Sequence, residues 1–155
     1  MRQPAWLETD DGSYVIRVSR RIDAPADSVW ALVRDPARYA HWSSTLRAQV
    51  DQLVPGKEIA LSIRLFGPVL PWTHSLEVVE VVDEEARAVA WSRDFALGQQ
   101  SHRFQVVTPQ GDSCRYLTAL QLSPLLAAAI RVTLQQRLRR AFERIAEELA
   151  AAAER

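Results

Sequence analysis

Between Ile59 and Leu122 the apolar residues recur at every second position, and from Pro124 onward at every third or fourth. One late change of period restricts the fold more than any other feature of this chain. It predicts a run of strands followed by a single long helix. Ile59, Leu61, Ile63 and Leu65 alternate with Ala60, Ser62 and Arg64 after the turn Pro55-Gly56, as in a strand with one buried face. Further strands are expected over 73–82, 86–93, 101–107 and 114–122. Gly67-Pro68, Pro71 and the charged turn Asp83-Glu84-Glu85 separate the earlier ones, and Pro109-Gln110-Gly111-Asp112 predicts a hairpin between the last two.

The helical stretch carries Leu126, Ile130, Leu134, Leu138, Ala141, Ile145 and Leu149 as one continuous stripe. Glu143, Arg144, Glu147 and Glu148 fall on other faces, so an unbroken amphipathic helix over 124–153 is expected. Upstream, Ile16, Val18 and Ile22 share one parity and predict a first strand over 14–22. Pro25 then opens a short helix through Val29, Trp30 and Val33, and a second short piece covers 37–42. Residues 1–12 read as a loose lead-in, and 13–153 as one domain. Strands joined by short turns form an antiparallel sheet, whose apolar face the long helix must cover. The class is α+β.

Composition narrows function by exclusion. The 155 residues hold 19 basic and 19 acidic side chains, so the chain lacks the field with which a non-specific nucleic-acid binder gathers phosphates. One cysteine excludes an internal disulfide framework and a multi-thiolate metal site. No apolar run approaches the ~20 residues of a membrane span, and no signal-like segment opens the chain. The expectation is a cytoplasmic protein with no cofactor, no metal and no nucleic-acid partner.

Several local strings then occur in a telling order. Ile22-Asp23-Ala24-Pro25-Ala26-Asp27-Ser28-Val29-Trp30 forms an I-x-A-P-x-x-x-V-W junction from strand to helix. Tyr39-Ala40-His41-Trp42-Ser43 follows, and later come Val89-Ala90-Trp91, Ser101-His102-Arg103-Phe104 and Gly111-Asp112-Ser113-Cys114. Together they resemble the START-like (SRPBCC) superfamily, the polyketide cyclase/dehydrase and lipid-transport group, over about residues 14 to 150. The resemblance implies a helix-grip fold. A curved antiparallel sheet of six or seven strands wraps the C-terminal helix, two short helices close one end, and an apolar cavity lies between.

Candidate site residues follow from that picture. Trp42, Trp72 and Trp91 are suited to a cavity wall or mouth, since an indole combines a large apolar area with one N–H; the competing reading is core packing. Trp30 reads as core, and Trp6 as a surface or dimer contact. His102 shares parity with Phe104 and Val106, and His74 with Leu76 and Val78, so both are expected on the concave face. There they would be a candidate acid/base pair; the competing reading is a hydrogen-bonded core or rim imidazole. Phe104, Tyr116 and Thr118 on strands, with Ile130, Leu134 and Leu138 on the helix, complete the lining that the resemblance implies. Arg93 and Arg103 are ambiguous in parity. An inward arginine would need a carboxylate or a ligand's anionic oxygen, because a buried unpaired charge is costly.

Three functions compete at this stage. The first is binding of a small hydrophobic molecule (lipid, polyketide, isoprenoid or aromatic) for transport, storage or presentation. The second is a cofactor-independent aromatase/cyclase or dehydratase using a cavity histidine. The third is a protein-interaction module without a working cavity. A monomer and a homodimer are both compatible with the sequence.

Overall fold

The computed structural model describes residues 14–155; the lead-in and Trp6 lie outside them. Seven antiparallel strands form one sheet: β1 (Tyr14–Ile22), β2 (Leu46–Gln49), β3 (Glu58–Ile63), β4 (Thr73–Asp83), β5 (Ala88–Asp94), β6 (Gln100–Gln110) and β7 (Ser113–Leu122). Their order is β1-β7-β6-β5-β4-β3-β2, so the first two strands of the chain are the two edges. Between those edges run α1 (Ala26–Val33), a 3-10 turn (Pro36–Arg38) and α2 (Tyr39–Trp42). The α+β helix-grip architecture is as expected. The sequence reading missed β2, which is only four residues long and pairs on one side only.

Helix α1 begins after Pro25, whose carbonyl accepts from the Ser28 amide at 3.0 Å. It buries Ala26, Val29, Trp30 and Val33, the face its spacing dictates. The Trp30 indole N–H does not go unpaired. It donates to Glu84 Oε2 at 2.7 Å, and Glu84 also pairs with Arg34 at 2.8 Å, which ties α1 to the β4–β5 turn.

The long helix is broken, contrary to expectation. Helix α3 (Pro124–Thr133) ends at Leu134, with φ −118° and ψ −4°, and α4 (Gln135–Ala153) starts beyond it. Two features explain the break. The β-branched pair Val132-Thr133 sits at the end of α3, and the Thr133 hydroxyl donates back to the Ala129 carbonyl at 2.7 Å, a contact that bends helices. Gln135 Nε2 then donates to the Val15 carbonyl at 2.9 Å and fixes the start of α4 on β1. Periodicity alone conceals such a break, because the apolar stripe runs through it.

At the other end of α4 a partly buried carboxylate locks the grip. Glu148 accepts from Ser43 Oγ at 2.7 Å, from the Ser44 amide at 3.0 Å, from the Ser44 hydroxyl and from Arg144 Nε at 3.3 Å. Burial alone would raise its pKa, but the serine donors outweigh burial and hold it below the usual glutamate value. A depressed carboxyl stabilises the fold above its unfolded pKa, and that stability is lost as pH falls through the folded value. Glu148→Ala is therefore expected to cost about 1–2 kcal/mol in urea denaturation at pH 7. The difference from the parent should shrink toward zero in strongly acidic buffer. A loss independent of pH would overturn this assignment.

Candidate functional site: a cavity with one polar wall

A cavity of about 240 Å³ lies between the concave face of the sheet and the helices. Its helical wall is wholly apolar, formed by Leu126, Ile130, Leu134, Leu138 and Phe142. Leu61 and Ile63 of β3, with Leu120 and Leu122 of β7, extend that surface. The remaining wall is different. Strand β4 contributes Thr73, Ser75 and Glu77, and β6 contributes Ser101 and Arg103. Leu65 and Phe95 complete it, and exposed Phe66 and Leu97 lie beside them in the chain.

The polar strip inverts the usual reading of an alternating strand. Positions 73, 75 and 77 of β4 face inward, while Leu76 and Val78 face outward, at 56% and 42% exposed. On β6, Arg103 and Gln105 face inward, and Phe104 packs outward with Ala90, Ala119 and Val81 in a separate cluster. Three expectations are corrected in consequence. His74 lies on the convex side, its Nδ1 2.8 Å from Ser62 Oγ. His102 lies there too, with Nδ1 2.9 Å from Glu80 and its ring stacked on Phe104 at 6.2 Å. Phe104 is buried, but against the outside of the sheet. On β4 and β6 the apolar parity is the outer one: Leu76 and Val78 face solvent, and Phe104 packs against the convex side.

The tryptophans also separate. Trp72 is held between the guanidinium groups of Arg47 and Arg64, each 4.5 Å from its ring, and does not line the cavity. Trp42 packs edge-on against Tyr39 at 5.2 Å, against the core. Trp91 is fully buried, with the Arg103 guanidinium 5.8 Å from its ring. Of the other expected lining residues, Ile130, Leu134 and Leu138 border the cavity. Tyr116 and Thr118 share its face of β7 but are fully buried.

Tyr116 belongs to a buried chain of hydrogen bonds. Its hydroxyl donates to Gln105 Oε1 at 2.6 Å, Gln105 Nε2 donates to the Tyr39 hydroxyl at 3.2 Å, and Tyr39 donates to the Val33 carbonyl at 2.6 Å. Burial pushes both phenols upward, and neither the Gln105 contact at Tyr39 nor the Arg103 charge near Tyr116 offsets it. Both phenols stay protonated at neutral pH and have already committed their protons. What chemistry the cavity wall offers comes from Glu77 and Arg103. Glu77 accepts from Ser75 Oγ at 2.8 Å, and burial raises its pKa against the pull of Ser75 and Arg103. The sequence reading left Arg103 ambiguous and missed Glu77. The signal was the repeated polar residue at every second position of 73–77 and 101–105.

Comparison with known proteins agrees with this architecture. The family model for polyketide cyclase/dehydrase and lipid transport matches residues 14–154. The chain belongs to that family, and its fold is START-like. Among solved structures, the Thermus thermophilus protein TTHA0849 is 18% identical, with a TM-score of 0.69 over 90% of this chain and 96% of its own. A START superfamily protein from Mycobacterium smegmatis is 14% identical at a TM-score of 0.67, with the same coverage. Norcoclaurine synthase from Thalictrum flavum is 18% identical at 0.62, covering 97% and 92%. At these identities the likeness is one of fold. No helix of the described residues is long and apolar enough to cross a membrane.

Proposed function

We propose that the protein binds a small, largely apolar molecule in the cavity between sheet and helices, for transport, storage or presentation. The observation that carries this reading is the cavity of about 240 Å³ with a continuous leucine, isoleucine and phenylalanine wall. A pocket of this kind, lined largely by apolar side chains, favours a hydrophobic guest over water. Membership of a family named for polyketide and lipid chemistry supports the same reading. The expected histidine acid/base pair finds no support, because His74 and His102 lie on the opposite face of the sheet.

Native mass spectrometry of freshly purified protein is expected to show a co-purified small molecule or, after delipidation, one-to-one uptake of the neutral fluorophore N-phenyl-1-naphthylamine. A delipidated protein that takes up no neutral probe would sink the reading.

A further inference from the structure

Arg103 is 6% exposed and lines the cavity, yet its Nε and Nη2 have no hydrogen-bond partner among the described residues. A guanidinium cannot escape burial by losing its proton, so the cost of an unpaired charge has to be met by something else. Part is met by ring faces: Phe142 lies 4.5 Å and Trp91 5.8 Å from the guanidinium carbon. Glu77 shares the cavity wall and exerts a field, but it makes no ion pair with Arg103, and its Oε1 accepts from Ser75. The Tyr116 hydroxyl gives its proton to Gln105, and its oxygen meets Arg103, a contact that lowers the phenol against the effect of burial. What remains is a guanidinium whose Nε and Nη2 are closed in without a partner, in a wall shared with Thr73, Ser75, Glu77 and Ser101.

We infer that the cavity takes an amphiphilic carboxylate, its head received by the guanidinium of Arg103 and its apolar body lying against Leu126, Ile130, Leu134 and Leu138. A guanidinium offers the planar set of donors that fits a carboxylate. The polar strip explains why an arginine is tolerated here. Ser75 and Ser101 line the same cavity and add hydroxyl groups beside it. This inference rests on the proposed binding function and adds the chemistry of the guest's head.

The test uses displacement of N-phenyl-1-naphthylamine from the full-length protein by decanoate and by decan-1-ol at neutral pH. Decanoate is expected to bind at least about tenfold more tightly than the alcohol, the difference expected of charge-assisted over neutral hydrogen bonds. In Arg103→Met that preference should vanish or reverse, while the neutral fluorophore still binds. Equal affinities in the parent protein, or a preference that survives Arg103→Met, would overturn the inference and leave the cavity reading standing. Failure of the parent to bind the fluorophore would instead remove the cavity reading itself. Should Arg103→Met not fold, the carboxyl resonance of decanoate labelled with carbon-13 at C1 decides on the parent alone. Its pKa in the complex is expected below that of free decanoate, because an adjacent guanidinium favours the anion. A raised value, as apolar burial without a cation would give, refutes the inference.

Discussion

Truncating Trp91 to alanine is expected to destabilise the protein by about 3–5 kcal/mol, the range for removing a large aromatic from a close-packed interior. The indole is fully buried on the concave side of β5, in the main core cluster. Its removal would also strip one aromatic neighbour from Arg103, leaving Phe142 as the other. For a domain of this size each kcal/mol moves the melting temperature by roughly 2–4 °C, so thermal denaturation resolves the effect easily. The Trp91 indole N–H has no hydrogen-bond partner among the described residues, so Trp91→Phe forfeits none there and should cost much less. A loss below about 1 kcal/mol for the alanine variant would mean that the neighbours collapse into the space, which the close packing of interiors opposes.

Filling the cavity should have the opposite signature. Ile63 and Ile130 are half-buried and stand on its β3 and α3 walls. In a packed core, replacing both by tryptophan would force strain of about 1–3 kcal/mol each. Where the side chains border a hollow, the added rings enter free space, and the double variant should melt close to the parent. Binding of N-phenyl-1-naphthylamine should fall by about a hundredfold or more, equivalent to nearly 3 kcal/mol. Stability and binding are thus read together. A protein that is badly destabilised yet still takes up the fluorophore would show that the cavity is not where the guest sits.

The pattern of periods suffices to read the architecture, because β3 alternates buried with less buried positions and β6 and β7 bury more than half of theirs; β4, which buries only Val79, is legible from its bounding turns. The break at Leu134 left no mark in that pattern, since Ile130, Leu134 and Leu138 keep their helical spacing across it. The site was harder to read. Burial normally equates apolar parity with the inside, and on β4 and β6 that equation assigned His74, His102 and Phe104 to the wrong face. The concave face reverses it, because β4 and β6 carry polar groups there: Ser75, Glu77, Ser101 and Arg103 at the cavity and Gln105 in the buried hydrogen-bond chain. On the helices Ile130 and Leu138 border the cavity, because there the wall is apolar and the ordinary rule holds.

The strand order has a bearing on how the protein comes into being. Neighbours from β2 to β7 are joined by local turns or loops, but β1 pairs with β7, placing Ile16 opposite Leu120 across most of the chain. That contact closes a very long loop, a step whose entropic cost topology imposes late. The cavity wall likewise extends to Phe142. A chain still emerging from the ribosome therefore has strands but no enclosure, and it gains a place for a guest only after α3 and the first turns of α4 have been synthesised.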